Sequence, residues 1–183
     1  MDRLFFAIFP DADAAARAAE LARGLKAKHR LNKSPLEQER LHITLELLGN
    51  FAGLPLRLID EACDVAASLR WPAFDIELDH VISFKAAADH RRPLVLQGRE
   101  CVAELKAFQH DLDMALKRAG VVRRRGSSFN PHLTLSYDKD VGAAVEVSPP
   151  IRWRATEFML VHSFVGQSRY EMLGRWPLAP APT

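Results

Sequence analysis

Apolar and polar positions follow two periods along this chain, one near two residues and one near 3.6, and the switches between them divide it into short strands and longer helices. Residues 4–9 are a continuous apolar run, the mark of a buried strand, which Pro10 and Asp11 end. Asp11 or Asp13 can then cap a helix to about Lys28, with Ala15, Ala18, Leu21, Ala22 and Leu25 on one face. A polar loop over 32–38 leads to a strand over 41–48, stopped by Gly49-Asn50. Leu58, Ala62, Val65 and Leu69 share a face of a second helix over 54–69, closed by Trp71-Pro72. Strands follow over 74–84 and 94–97, then a third helix over 100–119 with Val102, Leu105, Leu112 and Leu116 inward and Gly120 as its stop. The remaining strands are expected at 132–137, 156–164 and 169–174. Strands and helices mixed without strict alternation argue an α+β fold in one domain over 1–178, with 179–183 as a C-terminal tail.

Two of these strands carry the same pattern. His42-Ile43-Thr44-Leu45 and His132-Leu133-Thr134-Leu135 begin 90 residues apart, which suggests a duplicated unit of about half the domain. Side chains alternate across a strand, so His and Thr share one face in each copy while the aliphatic pair takes the other. Two imidazoles at one cleft can supply an acid and a base near neutral pH, and Thr44 and Thr134 can donate to the non-bridging oxygens of a phosphoryl group. That equipment suits in-line displacement at phosphorus without a metal.

Composition narrows the class. At 183 residues, 48% hydrophobic and 26% charged, the chain has ordinary globular composition and excludes disorder. A net charge of +2 does not commit it to nucleic acid, so an anionic substrate must be held by a local patch. One such patch is Lys117 and Arg118 with Arg123, Arg124 and Arg125, free of acidic residues between Asp113 and Asp138; Arg91-Arg92 is a smaller one. The two cysteines, Cys63 and Cys101, lack metal spacing and read as free thiols. The apolar N-terminal stretch is too short for a signal-peptide core and no run reaches a membrane span, so no membrane association and a cytoplasmic location are expected. His162 could join His42 and His132 in a three-histidine metal site, but the motifs pair His with Thr instead of a second ligand. His29, His80, His90 and His110 read as surface residues.

The paired motifs resemble those of the 2H phosphoesterase superfamily, and their surroundings are most similar to its RNA 2′,3′-cyclic phosphodiesterase branch, historically called 2′-5′ RNA ligase. The resemblance runs through Arg3-Leu4-Phe5-Phe6-Ala7-Ile8, Leu41-His42-Ile43-Thr44-Leu45 with Leu48-Gly49, Phe129-Asn130-Pro131-His132-Leu133-Thr134-Leu135, and a closing Ser163, Tyr170, Leu173 and Trp176-Pro177-Leu178. It implies two pseudo-symmetric lobes of antiparallel sheet with helices around a central cleft. It implies hydrolysis of a terminal RNA 2′,3′-cyclic phosphate to a 2′-phosphate, with His42 as proton donor and His132 as proton acceptor, without cofactor or metal, and reversible 2′,5′ ligation at the same site when a 5′-hydroxyl replaces water. The partner is then RNA with a cyclic phosphate end, tRNA fragments among the candidates, bound by a monomer. A small cyclic nucleotide or an ADP-ribose cyclic phosphate is the alternative substrate. The chain departs from the branch at Leu47, where an aromatic residue is common, and at Tyr137, where an Arg is common. Tyr137 and Phe51 are expected to stack on a base, and Arg123, Arg124 and Arg125 to meet the RNA backbone.

Overall fold

The computed structural model describes residues 1–85, 92–99, 102–122 and 128–180. Its strands are β1 (Asp2–Ile8), β2 (Ile43–Phe51), β3 (Phe74–Ser83), β4 (Arg92–Gln97), β5 (Leu133–Asp138), β6 (Val145–Ala155), β7 (Glu157–Phe164) and β8 (Arg169–Pro177). Its helices are α1 (Ala12–His29), α2 (Leu56–Ser68) and α3 (Ala103–Arg118), with a short 3-10 turn, Gln38–Arg40, before the first motif. Asp11 caps α1 as expected, accepting from the Ala14 amide at 2.8 Å.

The strands form one sheet in the order β6-β3-β4-β5-β2-β1-β7-β8, antiparallel at every pairing. It divides into two four-stranded lobes related by a local twofold, which exchanges β2 with β5, β1 with β4, β7 with β3 and β8 with β6. The motif strands β2 and β5 meet on that axis, in register at the single pair Ile43 and Leu133. The lobes are not successive halves of the chain. One is the continuous stretch 74–155; the other combines β1 and β2 with β7 and β8, so both ends of the chain lie in the same lobe.

So short a seam needs support from elsewhere, and the helices provide it. α1 leaves β1 in one lobe and packs on β5 and β6 of the other, while α3 leaves β4 and packs on β2 as well as β3. All three helices share the sheet face that carries Leu4, Phe6, Ile43, Leu78, Leu133 and Leu160 in one continuous apolar core. Phe108 of α3 is fully buried and touches the rings of Phe74 in one lobe and Phe158 in the other, at 5.8 and 5.1 Å. Truncating such a residue to Ala costs about 3–5 kcal/mol, here directly beneath the seam. The opposite face holds a small cluster, Phe5, Ala7, Met159 and Val161, and is otherwise free for a cleft.

Three expectations change. β6 is a strand where none was expected, because Ser148-Pro149-Pro150 interrupts its apolar alternation; it lies at the edge of the sheet, where a missing amide is tolerated. β2 does not stop at Gly49-Asn50 but runs on to Phe51, whose ring lies over Gly49 so closely that a Cβ there would approach it to 2.9 Å. At the C-terminus, Leu178 is buried and donates to the Thr156 carbonyl, and Ala179 donates to that of Trp71, so Ala179 belongs to the body of the domain and not to a tail. No helix among the described residues is long and apolar enough to cross a membrane.

Candidate active site

Both motif histidines immediately precede their strands, and all four motif side chains, His42, Thr44, His132 and Thr134, line one cleft of about 540 Å³ on the helix-free face. Ile43 and Leu133, between them, are fully buried on the core side. Continuing the antiparallel register one residue either way from Ile43 and Leu133 sets His42 opposite Thr134 and Thr44 opposite His132. Each imidazole therefore neighbours the hydroxyl of the other motif. Opposite Cβ atoms in such a pair stand about 5 Å apart and diagonal ones about 7 Å. The histidines occupy one diagonal and the threonines the other. A phosphoryl group placed at the crossing point would have an imidazole on either side of phosphorus and a hydroxyl toward each non-bridging oxygen.

The two rings are held by the same device. His42 Nδ1–H donates to the Arg40 carbonyl at 2.7 Å and His132 Nδ1–H to the Asn130 carbonyl at 2.8 Å, each two residues back. This fixes the tautomer and turns Nε2 toward the cleft in both lobes. Their surroundings differ. His42 stacks on Phe5 at 4.9 Å and meets Phe9 at 5.5 Å and Tyr170 at 5.6 Å, whereas His132 meets the Phe84 ring edge-on at 4.8 Å. Desolvation in that aromatic enclosure pushes the His42 imidazole down to about 4; the positive charges of Arg40 and His132 act in the same direction, against the pull of the Arg40 carbonyl.

A bulge repeats in both lobes. Thr44 and Glu46 face Ala7 and Phe6, and Thr134 and Ser136 face Val95 and Leu94, so Leu45 and Leu135 are each the extra residue. The bulge reverses the alternation and brings Leu47 and Tyr137 back to the cleft wall. A further bulge, between Leu4 and Phe5, sends Phe51 to the reverse face, where it packs against the main core.

A family model of the 2′-5′ RNA ligase superfamily matches residues 9–165. The chain belongs to this superfamily of 2H phosphoesterases. Comparison with curated proteins gives no match. Among solved structures, apo Escherichia coli LigT is 26% identical, with 97% of this chain and 98% of that one covered at a TM-score of 0.76. LigT complexed with 3′-AMP is likewise 26% identical, covering 97% of each chain at a TM-score of 0.73. TT0787 of Thermus thermophilus shares the fold at 20% identity and a TM-score of 0.76, with 98% of this chain and all of that one covered. The superfamily's fold is therefore the one described above, and its membership makes the paired-histidine cleft the place to look for phosphoesterase chemistry.

Of the expected substrate contacts, Tyr137 stands in the cleft and is 47% exposed. Phe51 does not reach the cleft, for the reason the second bulge gives. Arg123, Arg124 and Arg125 lie outside the described residues. His162 does not join the motif histidines: it pairs across the ladder with Leu4, on the core face, is 1% exposed and bonds Asp2 Oδ1 through Nε2 at 2.7 Å. Among the described residues no group of three His, Cys, Asp or Glu could hold a metal ion. His80 is less superficial than expected, 14% exposed and bonded to Asp79 at 2.6 Å.

Several cleft residues were not singled out for binding from sequence. Phe5 and Tyr170 enclose His42, and Arg40 and Arg3 bring positive charge to the wall. The opening Arg-Leu-Phe pattern and the turn directly before the first motif were the available signals. Behind the cleft, Gln97 is 7% exposed and donates to Asn130 Oδ1 at 2.7 Å and to the Pro131 carbonyl at 3.3 Å, steadying the segment whose Asn130 carbonyl orients His132.

Proposed function

We propose that this chain opens the terminal 2′,3′-cyclic phosphate of RNA to a 2′-phosphate by metal-independent acid-base catalysis, and that the same ring opening gives a 2′,5′ joint when a 5′-hydroxyl replaces water as the nucleophile. The observation that carries the reading is the crossed arrangement of two oriented imidazoles and two hydroxyls in a cleft whose described lining contains Arg and His but no carboxylate. Such a wall favours an anion. LigT, one relative of this fold, has been crystallised with 3′-AMP, ATP, NADP+ and phosphate, all of them nucleotides or phosphate.

In the proposed reaction His132 Nε2 takes a proton from water as its oxygen attacks phosphorus, and His42 Nε2–H delivers a proton to the departing 3′ oxygen. Thr44 and Thr134 donate to the non-bridging oxygens as charge accumulates there. With its proton affinity pushed down to about 4, His42 is neutral in the empty cleft at pH 7. A bound phosphodiester anion raises it, so the donor's proton enters with the substrate and stays on Nε2 until the departing alkoxide-like oxygen, a far stronger base, takes it.

The test compares an oligonucleotide ending in a 2′,3′-cyclic phosphate with a cyclic mononucleotide, both with EDTA present. Faster turnover of the oligonucleotide is expected. Turnover of the mononucleotide alone would move the activity to small cyclic phosphates, and loss of activity on chelation, restored by Zn²⁺ or Mn²⁺, would contradict the metal-independent mechanism.

A further inference from the structure

The local twofold offers an internal comparison. Groups needed on both sides of phosphorus recur in both lobes: His with His, Thr with Thr, and a carbonyl two residues before each His. Groups that break the symmetry serve the body of the substrate, which is not symmetric. The position that provides the carbonyl for His132 is Asn130; its partner in the other lobe is Arg40.

Arg40 closes the 3-10 turn, its amide bonded to the Glu37 carbonyl at 2.9 Å. Its guanidinium lies against Tyr170, 5.0 Å from the ring centroid, with Nε shielded from water and without an acceptor. Arg3 borders the same end of the cleft. It sits on β1 in register with Asn50 on one side and Ser163 on the other, and Ser163 is in register with Tyr170. The Arg3 Nε–H donates to Asn50 Oδ1 at 2.8 Å, which orients the fork and leaves its terminal N–H groups for other acceptors. Among the described residues neither guanidinium forms an ion pair, and no lining residue of the cleft is acidic. Two uncompensated forks at one end of a cleft match a second phosphate, apart from the one held by the His–Thr square.

We propose that Arg40 and Arg3 bind a phosphate on the 5′ side of the terminal ribose, so that the cleft selects a phosphorylated nucleotide end over the same nucleoside lacking that phosphate. This rests on the two-histidine reading for the first phosphate. Arg40 gives the cleft its direction: the substrate's 5′ side lies toward the β1–β8 lobe.

Binding measures this without requiring turnover. Calorimetry at fixed ionic strength compares adenosine 2′-phosphate with adenosine 2′,5′-bisphosphate on the wild-type chain, Arg40→Gln, Arg3→Gln and Arg40→Lys. The wild type should prefer the bisphosphate by at least about tenfold. Arg40→Gln keeps the backbone carbonyl that orients His42 and should bring the preference close to unity; Arg3→Gln should reduce it, and Arg40→Lys should retain part of it. A dinucleotide ending in 2′-phosphate should share the gain, which would assign the second phosphate to an RNA strand; a gain confined to the bisphosphate would assign it to a small nucleotide. Equal wild-type affinity for mono- and bisphosphate, or a preference that survives Arg40→Gln, would overturn the proposal. A preference seen in a chain that opens no cyclic phosphate would leave this subsite standing and remove the reaction instead.

Discussion

The enclosure of His42 has a consequence for stability that isolates the ring from the rest of the protein. Its proton affinity is about 4 in the folded chain against 6.5 for a free imidazole, so between those values the unfolded chain holds a proton that the folded chain does not. Stability must therefore fall as pH drops through 6.5 toward 4 and level off below it. Integrating the two titrations from pH 7 to pH 4.5 gives a loss of roughly 2 kcal/mol attributable to this one ring. Replacing it by Gln removes the titration and leaves every other group in place. Urea unfolding at pH 7 and pH 4.5 should then show the wild type losing about 2 kcal/mol more than His42→Gln over that interval. An equal loss in both proteins would mean that the ring is solvated and protonates freely, and that the stacking on Phe5 does not hold in solution. The same shift reaches the chemistry: about one ring in a thousand carries a proton at pH 7 in the empty cleft. Binding of a 2′-phosphate nucleotide should draw in a proton that His42→Gln does not take up, measurable by calorimetry in buffers of different ionisation enthalpy. Identical uptake by both would contradict the donor role.

Thr44→Val and Thr134→Val should each lower turnover by about 10²- to 10³-fold with the fold intact, since each removes one donor to a non-bridging oxygen and leaves proton transfer in place; circular dichroism and single-turnover rates check this, and wild-type rates in both would remove the hydroxyls from the mechanism. Tyr137→Ala should weaken binding of an oligonucleotide by about 1–3 kcal/mol if its exposed ring stacks on a base, and Tyr137→Phe should not. Replacing Arg123, Arg124 and Arg125 should reduce the log-log salt slope of single-stranded RNA binding by about 0.7 for each phosphate that an arginine had neutralised. Unchanged slopes would remove those arginines from the RNA contact.

Much of this architecture was readable along the chain because it follows from local pattern. The His-x-Thr repeat identified the motif strands and the face that lines the cleft, and Asp11, Gly120 and the apolar spacing located the helices to within a few residues. What escaped depends on pairing. A bulge changes which face a side chain takes, and nothing in the order of residues shows that Leu45 and Leu135 would be the extra ones. Counting from Thr44 by strict alternation puts Leu47 on the wrong face, and without the second bulge Phe51 is aimed at the substrate when it packs against the core. β6 was hidden by prolines that only its place at the sheet edge makes acceptable. Tyr170 reaches His42 because β8 lies beside β7 and β7 beside β1, a neighbourhood made by folding the last strands back onto the first. Arg40 was visible as a charge, but its bearing on the cleft comes from that same closure.

Ring opening followed by phosphorus NMR tests the central claim most directly. With an RNA ending in a 2′,3′-cyclic phosphate, the wild-type chain should yield the 2′-phosphate as the sole product, because a donor fixed beside the 3′ oxygen permits one leaving group. His42→Ala and His132→Ala should each slow the reaction by about 10²- to 10⁴-fold while remaining folded. Predominant 3′-phosphate would reverse the orientation of the substrate in the cleft. Either variant turning over near the wild-type rate, or a wild-type chain that leaves the cyclic phosphate intact, would contradict the two-histidine account.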